Sequence, residues 1–105
     1  MLFEVHSRHD AATTVVSVVG DVDVATLPRF AAEIATLEGD TTIDLTGVDW
    51  FDPICLGVLV ASALKARRAG HEIRVVASQT VGDLLEESRL NEVILVEIPG
   101  GLSGA

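Results

Sequence analysis

The sequence predicts an α/β domain with a mostly parallel sheet of four or five strands, an N-terminal hairpin and helical crossovers. Runs of β-branched residues alternate along the chain with segments in which apolar residues recur every three to four positions. Glycines and capping residues separate most of these segments. Strands that alternate with helices in this way are usually parallel and joined by right-handed crossovers.

The first two strand-like runs predict an antiparallel hairpin. Residues 3–7 form a short strand in this interpretation, residues 8–12 a turn, and residues 13–19 a second strand that Gly20 ends. A helix follows over residues 27–37, with Thr26 as its N-cap and Gly39 near its end.

The second half of the chain repeats the strand and helix pattern. Asp52-Pro53 is a typical helix start, and the helix it begins runs to Arg68. The other predicted elements are strands over residues 41–45, 73–77 and 93–98, a loop over 47–52 and a helix over 80–89. Residues 1–98 thus form one domain, and residues 99–105 are expected to be a flexible tail. The pattern does not decide whether the helices cover one face of the sheet or both.

Composition narrows the classes of function. No apolar run approaches the roughly 20 residues that span a bilayer, the N-terminus does not resemble a signal peptide, and one cysteine suits a reducing compartment. We therefore expect a cytoplasmic protein. Its net charge of −9 disfavours binding to nucleic acid or anionic membranes, and it suits either a basic protein partner or simple solubility.

Acidic residues gather where a parallel α/β sheet usually carries its site, beyond the carboxyl ends of the strands. Asp21 and Asp23 lie in one such loop, and Asp49 and Asp52 lie in the next. A magnesium site with an aspartyl phosphate would also need a lysine at a later strand end, but the only lysine is Lys65, within a helix. Turn and cap formation explains these acids better, so we expect no metal, no cofactor and no catalysis.

Other catalytic patterns are weak. His6, His9 and His71 lie at the opposite end of the predicted sheet, Cys55 has no evident base, and no glycine-rich phosphate loop is present. Of the adjacent aromatics Trp50 and Phe51, one is expected in the core, and an exposed one would suit partner binding.

Three segments carry a family resemblance. Residues 20–26, Gly-Asp-Val-Asp-Val-Ala-Thr, resemble the G-x-[LV]-D-x-x-T segment of STAS domains. Residues 43–52 resemble the second motif of that family, which continues as Asp-Ser-Ser-Gly-Leu-Gly where this chain has Asp52-Pro-Ile-Cys-Leu-Gly57. Residues 70–73 and 84–90 also fit, so the resemblance covers nearly the whole chain and implies a STAS-like fold.

The resemblance implies a function. The chain looks most like bacterial anti-sigma factor antagonists, which bind a kinase-like anti-sigma factor and so free a sigma factor for transcription. It implies a partner-binding surface that comprises Asp21, Asp23, Thr26, Trp50, Asp52, Pro53, Ile54, Cys55 and Val58. STAS domains also serve as accessory subunits of transport assemblies, which is the alternative function. The oligomeric state stays open.

The chain departs from the family at its phosphorylation site. In the family the anti-sigma factor phosphorylates the second serine of Asp-Ser-Ser-Gly, and that position is Ile54 here, which cannot accept phosphate. Thr26 and Ser62 are candidate substitute acceptors. Cys55 is a candidate redox switch, because a helix start lowers a thiol pKa, although a small buried filler is the alternative.

Overall fold

The computed structural model of the chain describes residues 2–99. These residues form one five-stranded sheet in the order β1-β2-β3-β4-β5. β1 pairs antiparallel with β2, and the pairs β2–β3, β3–β4 and β4–β5 are parallel. The strands are β1 (Phe3–Asp10), β2 (Thr13–Val22), β3 (Thr41–Phe51), β4 (Ile73–Ala77) and β5 (Leu95–Glu97). The predicted fold class is therefore confirmed.

Three α-helices make the crossovers: α1 (Leu27–Ala35), α2 (Leu56–Arg68) and α3 (Gln79–Glu87). A short 3-10 helix, Pro53–Cys55, leads into α2, and another, Leu90–Glu92, leads toward β5. The last turn of α2 carries Lys65, Arg67 and Arg68, which suits the negative end of the helix dipole. Within residues 2–99, no helix is long and apolar enough to cross a bilayer.

The helices cover one face of the sheet, which settles the arrangement that the sequence left open. Val16, Ile43 and Val75 lie side by side on neighbouring strands and are completely buried. Phe30 of α1, Leu59 of α2 and Leu85 of α3 pack into the same core. The opposite face carries the intervening strand residues, such as Ser17, Asp44 and Val76, and no element within residues 2–99 covers it. When successive parallel strands are neighbours and every crossover has the usual right-handed sense, all the helices lie on the same face of the sheet.

Several predicted boundaries are wrong, mostly because strands run further. β1 continues to Asp10, so the hairpin turn is only Ala11-Ala12, with Ala11 at φ 55°. Residues 47–51 belong to β3 because they continue the ladder with β2. Val93 and Ile94 precede β5 instead of starting it. Apart from Pro99, the predicted tail lies outside the described residues.

Gly20 lies inside β2 and does not end it. Its φ is 105°, and the ladder between β2 and β3 shifts register immediately after it. A Cβ at this position would lie 2.0 Å from the carbonyl oxygen of Leu2. Glycine is therefore required both by the backbone angle and by the close approach of the start of β1.

We expect Gly20→Ala to lower the free energy of unfolding by roughly 1–3 kcal/mol, because alanine disfavours this φ and its methyl group meets backbone that must move. Urea unfolding followed by circular dichroism measures the change. Gly57→Ala is the matched control, since a Cβ there meets nothing within 4 Å. Equal stability of Gly20→Ala and wild type would contradict the predicted strain.

Candidate functional site

The ends of β2 and β3, with the residues that follow them, are hydrogen-bonded to each other at one end of the sheet. Asp21 pairs with Trp50, and Val22 pairs with Phe51. The backbone N–H of Asp52 then donates to the carbonyl of Val22 at 2.8 Å. The ladder between β3 and β4 stops at Leu45 and Ala77, so this end of β3 projects beyond β4. Residues 20–26 and 50–55 therefore form one continuous surface region.

A tight turn shapes the first segment. The Asp23 carboxylate accepts from the backbone N–H groups of Ala25 and Thr26 at 2.9 and 3.1 Å. The Thr26 hydroxyl donates to the Asp21 carbonyl at 2.7 Å and accepts from the Asp23 N–H at 2.9 Å. These bonds hold the backbone so that Val24, at the tip of the turn, is 65% exposed.

Thr26 differs from its predicted role in detail. It occupies the N-cap position of α1, but its side chain makes no capping hydrogen bond and turns back into the preceding loop. The residue is buried, and its hydroxyl already has partners on both sides. The geometry does not favour Thr26 as a phosphate acceptor, because a kinase would first have to open this turn.

Asp52 shapes the second segment. Its carboxylate accepts from the Ile54 N–H at 3.0 Å, and Pro53 opens the 3-10 helix, as the helix-start pattern predicted. Ile54, at the position of the family's phosphoacceptor, is 64% exposed. Ser62 lies elsewhere: its hydroxyl donates to the Leu59 carbonyl at 2.8 Å, and it lines a groove with Ile34 and Leu37 of the α1 region.

The adjacent aromatics divide as predicted, one into the core and one at the surface. Phe51 is buried and meets Phe30 edge to face, with ring centroids 5.8 Å apart. Trp50 is 50% exposed and borders a cleft of about 70 Å³ together with Pro53 and, on α3, Thr80 and Leu84. Val58 is half-buried against the core, so only part of its side chain is available to a partner.

Exposed apolar and acidic side chains are combined at this end of the sheet. Val24, Trp50 and Ile54, here called the apolar patch, are among the most exposed large apolar residues of the part described. Asp21, Asp23 and Asp52 lie on the same two segments, and Asp49 immediately precedes the second; these four are here called the acidic rim. No lysine or arginine of the chain lies between residues 9 and 28 or between 30 and 64. Within residues 2–99, none of the four rim carboxylates makes an ion pair.

Sequence reasoning missed Val24. Valine favours strands, and only the turn from Asp23 to Thr26 reveals that Val24 is exposed. The one available indication was its place in the segment that resembles the family motif, between Asp23 and Thr26, which were predicted to bind a partner. No group of three or more His, Cys, Asp or Glu side chains in the described part is arranged to hold a metal ion.

Cys55 lies beneath the surface rather than on it. It is completely buried, so it can support the neighbouring segment but cannot contact a partner directly. Burial raises the pKa of the Cys55 thiol above its ordinary value, and the carboxylates of Asp52 and Asp23 raise it further. The expected lowering of this pKa at a helix start is therefore wrong, because desolvation and nearby negative charge oppose the thiolate. The structure fits the alternative, in which Cys55 is a small buried residue that packs in the core.

These features agree with comparisons to known proteins. A family model described as Mlab, STAS domain, matches residues 5–97. The chain therefore belongs to the STAS domain family, as its motifs indicated. No curated protein sequence matches it.

Solved structures share the fold. An anti-sigma factor antagonist from Mycobacterium paratuberculosis is similar, with a TM-score of 0.82 and 22% identity, over 91% of this chain and 86% of that one. A proposed anti-sigma factor antagonist from Thermotoga maritima has a TM-score of 0.79 and 13% identity, over 89% and 85% of the two chains. An anti-sigma factor antagonist STAS domain from Rhodobacter sphaeroides has a TM-score of 0.58 and 26% identity, over 70% and 85%.

We expect Cys55 to be unreactive in the native protein at neutral pH, because the thiol is buried and held in its protonated form. Titration with Ellman's reagent should show less than about one tenth of the rate of a free thiol, with full reaction after unfolding in guanidinium chloride. Rapid stoichiometric labelling of the native protein would restore the redox hypothesis.

Proposed function

We propose that this chain is a regulatory protein-binding module that acts as an anti-sigma factor antagonist. The single observation that supports this most is the apolar patch, which presents three large side chains on segments fixed by hydrogen bonds. Rigid exposed apolar residues favour protein binding, because little conformational entropy is lost when a partner covers them. The solved neighbours named as antagonists add support from the same fold.

The proposed partner is a kinase-like anti-sigma factor whose docking surface has an apolar centre and basic margins. Ile54 is 64% exposed, so completing its burial would contribute roughly 1–2 kcal/mol. The acidic rim would add specificity and speed association with a basic surface, and this electrostatic part would weaken as salt is added.

The absence of a hydroxyl at position 54 supports constitutive binding. In the family resemblance, a phosphate added at this position ends the complex. Isoleucine offers no acceptor, Thr26 is buried with its hydroxyl bonded on both sides, and Ser62 lines a different groove. We therefore propose that the amount of the protein, and not its phosphorylation, controls complex formation.

Affinity capture with the immobilised chain tests the partner class. Recovery of a kinase-like anti-sigma factor supports the proposal, and reconstitution with the purified factor then gives a dissociation constant. Recovery of a membrane transport ATPase instead, with no affinity for any anti-sigma factor, would favour the accessory subunit of a transport assembly.

We expect Ile54→Arg and Val24→Arg each to weaken this complex by about 10-fold or more, because a charged side chain replaces an apolar contact in a desolvated centre. Asp23→Arg is expected to weaken it as well, but it also removes the carboxylate that holds the turn. Isothermal titration calorimetry measures the dissociation constants.

Two controls distinguish surface effects from charge effects. Leu64→Arg replaces an exposed apolar residue outside the patch, on the second half of α2, and His71→Arg adds a cation at the opposite end of the sheet. Both should bind within about threefold of wild type, a difference below 1 kcal/mol. If Ile54→Arg and Val24→Arg bind as well as the two controls, the proposed surface is wrong.

We expect no phosphate on the wild-type chain after incubation with its anti-sigma factor and ATP, and an unchanged complex, since the family's acceptor hydroxyl is missing. Mass spectrometry measures the incorporation. Ile54→Ser is the complementary variant: phosphate at residue 54 with release of the complex would indicate that only the hydroxyl was lacking. Stoichiometric phosphorylation of wild type at Thr26 or Ser62, with loss of the complex, would contradict constitutive binding.

A further inference from the structure

The outer edge of the sheet at β1 is open within the described residues. β1 ends the strand order, so one side of its backbone has no strand partner. Its eight residues pair with β2 without a register shift, and they include no proline, lysine or glycine. An open edge pairs readily with other chains, so proteins usually protect long edge strands with proline, bulges or charged side chains. Of these, β1 has only charged side chains, Glu4, Arg8 and Asp10. The edge is therefore able to accept another strand.

The charged residues of β1 have a definite arrangement. Glu4, His6 and Arg8 pair with Val19, Ser17 and Val15, and so they share the helix-free face of the sheet. Glu4 and Arg8 lie two positions on either side of His6, with opposite charges. The strand therefore offers both signs of charge along one face, with Glu4 and Asp10 as the acids and Arg8 as the base.

We propose that two copies of this chain dimerise by antiparallel pairing of their β1 strands, with His6 opposite His6 of the second copy. A two-fold axis through this point places Glu4 opposite Arg8 of the second copy. By symmetry, Arg8 then lies opposite Glu4 of the second copy, so the dimer contains two such pairs. Opposite charges that face each other across antiparallel strands stabilise the pairing. The two sheets then form one continuous sheet, with every helix on the same face.

Alternative registers are less favourable. A one-residue slip would place residues of the helix-free face against residues of the helix-covered face, which the pleat does not allow without a bulge. A two-residue slip toward Asp10 keeps the same number of pairs but sets Glu4 opposite Asp10 of the second copy, so that like charges face each other. The reverse slip shortens the ladder. Charge complementarity therefore selects the register centred on His6.

The dimer leaves the apolar patch free. His6 pairs with Ser17 in the middle of β2, whereas Val24 follows the end of β2, and Trp50 and Ile54 lie at or after the end of β3, which β2 separates from β1. Each dimer would carry two partner surfaces.

Sedimentation velocity over a range of concentrations up to millimolar tests the proposal, with a monomer–dimer equilibrium expected. Arg8→Glu sets carboxylates opposite each other at both pairs, so the dimer should weaken at least about 10-fold. The double variant Glu4→Arg/Arg8→Glu reverses both charges, restores the attraction and should return the affinity to within about threefold of wild type. Thermal unfolding of each variant verifies that the fold is intact.

Arg89→Glu is the matched control, because it makes the same change of charge on a side chain that is 82% exposed and lies outside β1. It should dimerise as wild type does. A wild-type chain that remains monomeric at millimolar concentration would overturn the proposal. So would a dimer that Arg8→Glu does not weaken, or one that the double variant does not restore.

Discussion

The backbone of β2 is paired with that of β3 from Thr14 and Thr41 to Val22 and Phe51, and most of the molecule depends on this ladder. Its middle aligns Val16 with Ile43 at the centre of the core. Its far end runs beyond the last pair of β3 with β4, at Leu45. The same ladder therefore fixes the hydrophobic core and carries two loop segments out to the surface that we propose binds a partner.

The polar groups beneath that surface are satisfied by hydrogen bonds within its own two segments, which hold the backbone of the surface in place. Asp23 and Asp52 each accept backbone N–H groups from the residues that follow them, and the Thr26 hydroxyl joins two backbone groups of its own loop. No buried side-chain nitrogen or oxygen in the described part lacks a hydrogen-bond partner. The acids thus have the turn-forming role that the sequence suggested, and their charge remains available at the surface.

Local patterns predicted the core elements well and the ends of the long strands poorly. Residues 73–77 alternate within an apolar run, and β4 has the predicted bounds. Gly47 and Asp49 have weak strand preference and were expected in a loop, yet pairing with β2 and burial of Phe51 hold them in β3. Gly20 looked like a strand end because glycine often ends strands, and local sequence does not reveal the close approach of Leu2 that requires glycine there. Val24 was missed for the same reason: its exposure follows from hydrogen bonds made by its neighbours.

The apolar patch and the acidic rim have opposing effects on self-association, and their combination indicates which surface two copies would use. Exposed Val24, Trp50 and Ile54 would favour contact between copies if they stood alone. A face-to-face contact through them would also bring two sets of rim carboxylates together, and like charges placed against each other in an interface cost several kcal/mol. A basic partner meets no such penalty and gains from both features. The β1 edge, where Glu4 and Arg8 of each copy can face the opposite charge across a two-fold axis, is therefore the surface better suited to a second copy.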